Sequence, residues 1–241
     1  NAVRDFTKWD DQPVSIAAMP EAFARARRVA ETEPAGPVYI ALDADLQERL
    51  LEGPVPAIDW QRVGPASRMG ADPAALQAAA KALWEASRPL ILASYAGRDP
   101  RAFEWIPALA ELVGAGIVDM EDRLNAPNRH PQNVTGSDAV TDADVLLLLD
   151  VKDASRFTSE VDRSTRNVRS RLAAGARVID IGFNELHTSS WVHHHGALPA
   201  TDIGITADTS IVLPQLIELV AAEVATDTPD RAAERAARRA G

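Results

Sequence analysis

Residues 72–94 read DPAALQAAAKALWEASRPLILAS, a helical pattern followed at once by a strand pattern. Asp72-Pro73 is a helix start signal, because an Asp side chain accepts hydrogen bonds from free backbone N–H groups and proline fits the first helical turn. The apolar positions of this helix recur at intervals of three and four residues, at Leu76, Ala79, Ala80, Leu83 and Trp84. Arg88-Pro89 then ends the helix, and the apolar run Leu90 to Ser94 is typical of a buried strand.

The same unit of helix and strand recurs along the chain. Asp99-Pro100 starts a second helix, and Gly114 and Gly116 lead into a strand at Ile117 to Met120. Three further apolar runs predict strands at Val145 to Leu149, Val178 to Ile181 and Ile203 to Thr206, and Asp208 then caps the start of a further helix. Because strands that alternate with helices form parallel sheets, we predict an α/β fold with a doubly wound parallel sheet, as in Rossmann-like domains.

The first fifty residues follow a different pattern. A helix that begins at Pro20 ends at Glu33-Pro34, and a strand that we expect to be buried follows at Pro37 to Leu42. Residues 1–35 offer no second strand, so we interpret this part as an incomplete α/β segment. Its large apolar side chains are expected to need a partner surface, namely Phe6, Trp9, Phe23, Val29, Tyr39 and Leu42.

Four parts follow from these patterns. Residues 1–50 are the incomplete segment, and residues 51–71, rich in glycine and proline, are expected to be a linker. Residues 72–225 form the predicted central domain. Residues 226–241 carry arginine and alanine without larger apolar side chains, and we expect a mobile or marginal helix that leads out of the domain toward a further one.

Composition excludes several classes of function. The 241 residues include 46% hydrophobic and 25% charged side chains, with a net charge of −10 and a pI near 5.0. An acidic chain argues against a nucleic-acid partner, and the sequence has no apolar run long enough to cross a membrane. Since cysteine is absent, disulfides and thiolate metal sites are excluded, and we expect a cytoplasmic protein.

Several motifs, taken in order, carry a resemblance to a known family. They are Thr7-Lys8-Trp9, Gly36-Pro37-Val38-Tyr39-Ile40-Ala41-Leu42-Asp43, Arg123-Leu124-Asn125-Ala126-Pro127 with His130-Pro131, Asp142-Ala143-Asp144-Val145-Leu146 and Val178-Ile179-Asp180-Ile181. Each motif is weak alone, but their order is specific. The chain resembles the thiamine diphosphate-dependent enzymes related to acetolactate synthase and benzoylformate decarboxylase, and the resemblance covers nearly all of its length.

This resemblance implies that the chain contains parts of two domains of a larger enzyme. Residues 1–50 would end the pyrimidine-binding domain, and residues 72–225 would be the central domain. The family's catalytic glutamate would precede Asn1, and its Gly-Asp-Gly motif for Mg²⁺ and the diphosphate would follow Gly241; no Gly-Asp-Gly occurs in the 241 residues. The parent enzyme would use thiamine diphosphate and Mg²⁺ on a 2-oxo acid, as a decarboxylase or an acetolactate synthase-like carboligase, and would form a homodimer or homotetramer. The segment itself would be a scaffold, inactive alone.

An alternative from another class is a free-standing Rossmann-type nucleotide-binding module, since some relatives bind FAD or ADP in the central domain. Crevices at the carboxyl ends of parallel strands accept dinucleotides. The weak candidates for cofactor binding are Tyr95, Gly97, Arg98, Gly136, Ser137, Asp150, Lys152 and Asp180. The turn Ser94 to Asp99 lacks close glycine spacing, and Asp150-Val151-Lys152 stands where FAD-binding relatives have Gly-Ala-Arg. FAD or ADP binding is therefore doubtful.

Catalytic and metal-binding candidates are weaker still. Asn125 and His130 could face the cofactor only through the family resemblance, and we favour a loop-stabilising hydrogen bond for His130. His193, His194 and His195 are consecutive, and consecutive side chains of an extended chain point in opposite directions. The acids around two predicted strands, Asp119, Glu121, Asp122, Asp142 and Asp144, are better explained by helix capping and solubility. We predict no metal site in this segment.

Overall fold

The computed structural model describes residues 2–51, 53–120, 123–186 and 200–240. It divides into two compact units, Asn1–Arg68 and Met69–Gly241. None of the helices in these ranges combines the length and apolarity needed to cross a bilayer.

The first unit contains two short strands and a helix that packs against both. Strand β1 (Trp9–Asp11) pairs in parallel with β2 (Val38–Ile40), and α1 (Met19–Glu31) lies against them. Helix α2 (Ala44–Glu48) follows. The expectation that residues 1–35 contain no strand is therefore wrong: β1 is three residues long and reads Trp-Asp-Asp, which gives no apolar alternation to detect.

Strand β2 is also less buried than predicted. Tyr39 is 45% exposed within this unit, and its two neighbours in the strand are half-buried. The reason is that a strand becomes fully buried only when both faces of its sheet are covered. Phe6 and Phe23, two of the side chains expected to need a partner surface, are exposed by 66% and 46%.

The second unit is built on a parallel sheet of five strands. Its members are β3 (Pro89–Ala93), β4 (Gly116–Asp119), β5 (Val145–Leu149), β8 (Arg177–Gly182) and β9 (Ile203–Thr206), in the spatial order β4-β3-β5-β8-β9. All four pairings are parallel, and the register sets Leu90 of β3 opposite both Gly116 and Leu146. The prediction of a doubly wound parallel sheet is confirmed, and the limits of each strand agree with the prediction or differ by one residue at each end.

The two faces of the sheet are covered differently. Helices α3 (Pro73–Glu85), α4 (Ala102–Val113) and α6 (Thr209–Val224) bury the face that includes Leu147. Leu146 and Leu148 point to the other face, where they pack with Val140, Ala154 and Phe157. The unbroken apolar run of β5 is explained because alternate side chains enter two different cores.

Helix starts follow the predicted caps. The Asp72 carboxylate accepts hydrogen bonds from the N–H groups of Ala74 and Ala75, at 2.8 and 3.1 Å. Asp208 accepts one from the N–H of Ser210 at 2.9 Å and begins α6. The Asp99 carbonyl instead accepts a hydrogen bond from the N–H of Ala102 at 3.0 Å, and α4 begins at Ala102, three residues after Asp99.

Four elements of this unit differ from the prediction. Between β5 and β8 the chain forms α5 (Ser155–Thr158) and an antiparallel hairpin of β6 (Ser159–Val161) and β7 (Val168–Ser170), whose sequence is polar. The tail was expected to be a mobile or marginal helix that leads out of the domain. Its direction is wrong and its marginal stability stays a prediction, because α7 (Pro229–Ala240) packs within the second unit, where Arg235 is 1% exposed. Its contacts are made by arginines, which an apolar pattern cannot reveal.

Candidate functional site

The candidate site lies at the carboxyl ends of the parallel strands. The chain leaves β3 for β4 on one side and later enters β5 on the other side, so the connections diverge between β3 and β5. In doubly wound sheets, ligands bind in the crevice at such a point. Tyr95, Gly97 and Arg98 follow β3, while Asp150 and Lys152 follow β5, and the fold therefore brings these five candidates to one region.

A buried ion cluster occupies the floor of this region. The guanidinium of Arg98 donates hydrogen bonds to the carboxylate of Asp150 and, at 3.1 Å, to Oδ1 of Asp208. The Thr209 hydroxyl donates to Asp150 as well, and the Phe183 ring lies 5.5 Å from the guanidinium carbon. The side chains of Arg98, Asp150 and Asp208 are only 15%, 6% and 1% exposed.

The protonation of Asp150 reflects this burial. Removal from water raises the pKa of the Asp150 carboxyl above its ordinary value, and the nearby charge and hydrogen bond of Arg98 and the hydroxyl of Thr209 offset only part of that effect. Asp150 also adopts a left-handed backbone conformation, with φ of 50°. A β-carbon at Gly182 would come within 2.9 Å of the Asp150 Oδ1, so glycine is required where β8 passes the cluster.

The first turn after β3 is closed by another part of the chain. Its Gly97 N–H donates to Oδ1 of Asn125 at 2.8 Å. A β-carbon at Gly97 would lie 2.5 Å from the carbonyl oxygen of Leu124, well inside van der Waals contact. Thus the backbone of residues 123–125 covers the position where a pyrophosphate would meet the turn of a dinucleotide-binding fold.

Asn125, a weak catalytic candidate, is fully buried. Its Nδ2 donates to Asp119 Oδ1 at 2.9 Å, to the Arg123 carbonyl at 2.7 Å and to the Ala93 carbonyl at 3.2 Å. Both atoms of the amide therefore bind protein groups. Asn125 joins the ends of β3 and β4 and fixes the loop that closes the turn.

The exposed rim of the region is cationic and aromatic. The Arg123 guanidinium donates to the Tyr95 hydroxyl at 2.9 Å and lies 4.6 Å from the ring centre, while Lys152 Nζ lies 5.2 Å from the same ring. A cation over the face of an aromatic ring is attracted by the ring's quadrupole. Tyr95, a candidate from the sequence, therefore contacts both Arg123 and the other candidate Lys152.

The other candidates lie apart from the ion cluster. Gly136 and Ser137 line a separate cleft of about 330 Å³ with Arg156 and Arg171, on the opposite face of the sheet. Gly136 has φ of +87°, and the Ser137 hydroxyl accepts a hydrogen bond from the N–H of Ala139 at 3.3 Å.

Asp180 and His130 each bind a local partner. Asp180 accepts a hydrogen bond from Nδ2 of Asn184 at 3.2 Å. The Nε2 of His130 lies 3.2 Å from Glu111 in the last turn of α4, and the neighbouring Gln132 carbonyl accepts from Ile117 at the start of β4. His130 thus lies beside the amino end of β4, away from the crevice.

Three members of the cluster, Asp208, Thr209 and Phe183, were not predicted as site residues. Asp208 was recognised as a helix cap, but its pairing with Arg98 spans 110 residues and has no local signal. Phe183 follows β8 and was not singled out. The residues considered above as metal ligands at His193, His194, His195, Glu121 and Asp122 lie outside the described residues. Within residues 2–51, 53–120, 123–186 and 200–240, no group of three or more His, Asp or Glu side chains is arranged to hold a metal ion.

The contacts of the first turn determine whether a dinucleotide could bind in the crevice between β3 and β5. Gly97 gives its N–H to Asn125, the Leu124 carbonyl fills the space above the turn, and Arg98 binds two carboxylates. A pyrophosphate needs free N–H groups and positive potential at this point. The residues present do not fit FAD or ADP in the crevice between β3 and β5.

Comparison with known proteins gives the following likenesses. No protein-family model matches the chain. It is 29% identical over 233 residues to a probable acetolactate synthase large subunit of Methanocaldococcus jannaschii, which covers 90% of this chain and 36% of that protein.

Two solved structures share the fold. One is a protein of Mycobacterium smegmatis assigned as a thiamin diphosphate-dependent enzyme (TM-score 0.70, 22% identity, 95% of this chain and 41% of that one). The other is benzoylformate decarboxylase of Polynucleobacter necessarius (TM-score 0.71, 18% identity, 91% and 40%). The resemblance inferred from the motifs is confirmed, and the chain spans about two fifths or less of the length of each protein it matches.

Proposed function

We propose that this chain is a segment of a thiamine diphosphate-dependent enzyme that acts on a 2-oxo acid, as a decarboxylase or as an acetolactate synthase-like carboligase. Residues 1–50 are the end of its pyrimidine-binding domain, 51–71 a linker and 72–225 its central domain. The observation that carries the proposal is the likeness over nine tenths of the chain to one curated sequence and two solved structures, each more than twice as long.

Within that enzyme the segment serves as a scaffold. At the carboxyl ends of the sheet, where a ligand would be expected, Arg98 is bound to Asp150 and Asp208, and Asn125 is bound on both amide atoms. Groups that satisfy one another in this way stabilise the domain and have little capacity left for substrate. We therefore assign no catalytic residue to this segment.

Thiamine diphosphate and Mg²⁺ would be held elsewhere in the parent enzyme. The proposed partners of this segment are the rest of the pyrimidine-binding domain and a diphosphate-binding domain, within a cytoplasmic homodimer or homotetramer. The cofactor supplies the electron sink for decarboxylation.

The cofactor proposal predicts the behaviour of the 241-residue chain in calorimetry. Titration with thiamine diphosphate and Mg²⁺ should release no binding heat, because the sequence contains no Gly-Asp-Gly motif to hold the metal and diphosphate. A micromolar dissociation constant, about −8 kcal/mol, would contradict the scaffold role.

The positive test uses the parent enzyme. The native reading frame should extend past both ends of the chain, and its full product, with both cofactors, should consume a 2-oxo acid such as pyruvate or benzoylformate. A native frame limited to these residues would instead favour the free-standing nucleotide-binding module.

A further inference from the structure

Helix α7 is attached to the second unit through charge. Its sequence, PDRAAERAARRA, contains no apolar side chain larger than alanine and proline. Arg231, Arg235 and Arg238 are spaced by four and three residues, so they share one face of the helix. An amphipathic helix usually docks through a large apolar stripe on that face, and in α7 arginines stand in its place.

The three arginines contact the ends of two other helices. Arg231 donates to the Trp84 carbonyl at 2.6 Å, and its guanidinium stacks 4.1 Å from the Trp84 ring. Arg235 donates to the same carbonyl and, at 3.4 Å, to that of Val113. Arg238 donates to the carbonyls of Ala86, at 3.0 Å, and of Ser87.

These carbonyls lie at the carboxyl ends of α3 and α4. The last turn of a helix leaves carbonyl groups without partners inside the helix, and the helix dipole concentrates partial negative charge there. The guanidinium groups of α7 satisfy both needs at once. The docking surface of α7 is therefore the negative poles of two helices.

Asp227 organises the arginines. Its carboxylate accepts from Arg235 at 2.7 Å and from the Trp84 indole N–H at 2.8 Å, and it lies 3.6 Å from Arg231. The side chain is 4% exposed. Asp227 thus contacts both α7, through its arginines, and α3, through Trp84. Its negative charge neutralises part of the positive charge of the three arginines.

We propose that α7 is a charge-latched strap: it releases from the second unit as one element while the sheet stays folded, and Asp227 holds it closed. Release returns guanidinium and carbonyl groups to water, which can solvate both, whereas little apolar surface becomes exposed. The step is therefore local and much less costly than unfolding of the sheet.

Release also changes a cavity. Arg238 forms one wall of a cavity of about 290 Å³ at the amino ends of β3 and β4, together with Arg88, Gly114 and Gln132. The Arg238 side chain lies over Gly114: a β-carbon added at Gly114 would lie 3.2 Å from the β-carbon of Arg238. When α7 leaves, this wall is removed and the cavity opens.

Hydrogen exchange of the whole 241-residue chain, followed by mass spectrometry, tests the strap. In the unaltered protein the amides of 231–238 should exchange at least about tenfold faster than those of Val145–Leu149. Asp227→Asn should raise exchange of 231–238 by a further factor of about ten and leave Val145–Leu149 unchanged. Glu234→Gln is the matched control, because it removes the same charge from an exposed position of α7, and it should leave both segments unchanged.

Two results would overturn the strap. One is equal exchange of α7 and β5 in the unaltered protein, or a parallel rise of both in Asp227→Asn, since α7 would then open only with the whole unit. The other is exchange of α7 that Asp227→Asn does not alter, since Asp227 would then not hold it. The measurement on the unaltered chain decides the first point even if the variant fails to fold.

Discussion

At the scale of single residues, Arg98 holds the charge of the crevice floor together. It pairs with Asp150 and Asp208, whose carboxylates are nearly inaccessible to water. Buried carboxylates without a cation are costly, and their pKa values rise because burial disfavours the charged form. Asp150 already shows this direction of shift while Arg98 is present.

Arg98→Ala should therefore destabilise the second unit by about 3 kcal/mol near neutral pH. In the variant the pKa of the Asp150 carboxyl in the folded state rises further above that of the unfolded chain, because the offsetting charge of Arg98 is lost, so folding favours its protonated form. The free energy of unfolding lost by the variant should then grow as the pH rises from about 4 to 7. Urea denaturation at several pH values measures this dependence.

Lys81→Ala provides the control for that series. Lys81 pairs with Glu85 at 3.8 Å on the surface of α3, and such an exposed pair contributes about 0.5 kcal/mol or less. A loss in Arg98→Ala as small as that of Lys81→Ala, or one that shrinks toward neutral pH, would mean that the cluster is not held by its charge.

At the scale of elements, strands β2 and β5 differ in how they are covered. Strand β5 is flanked by β3 and β8 and all five of its residues are buried. Strand β2 has three residues, pairs with β1 and exposes Tyr39. Burial and flanking strands set the free energy of local opening, so the two strands should open at different cost.

The amides of Val38–Ile40 should accordingly exchange with solvent at least about a hundredfold faster than those of Val145–Leu149. The measurement is native-state hydrogen exchange on the chain in its monomeric form, verified by sedimentation. Equal protection of the two strands in a monomer would show that the first unit is as stable as the second, and the interpretation of residues 1–50 as an incomplete segment would have to be withdrawn.

At the scale of the whole molecule, the two proposed functions predict different responses to nucleotides. FAD, ADP and NAD should leave the melting temperature of the 241-residue chain unchanged, because the Leu124 carbonyl and Asn125 close the first turn. A ligand at a hundred times its dissociation constant would add about 2.7 kcal/mol to the free energy of unfolding, which a thermal-shift assay resolves. A clear upward shift would support the nucleotide-binding module, and Gly136→Val would then locate the site if it abolished the shift.

The sequence by itself determined the five parallel strands of the second unit, the helices that alternate with them and the class of fold. Asp72-Pro73 and Asp208 mark helix starts through contacts with residues two or three positions away. The apolar run of β5 predicts a strand buried on both faces. These signals are local, which is why the alternation of helices and strands, and with it the parallel sheet, could be predicted.

Only the tertiary structure decided the spatial order of the strands, the ion cluster and the position of α7. Arg98 meets Asp208 across 110 residues, and Arg235 meets Trp84 across 151. The local sequence does not distinguish a buried arginine from an exposed one, because burial depends on a carboxylate or helix end that folding brings to the guanidinium. The pairing of β1 with β2 was missed for a related reason: Trp9–Asp11 becomes a strand through its neighbour, and its own sequence carries no strand pattern.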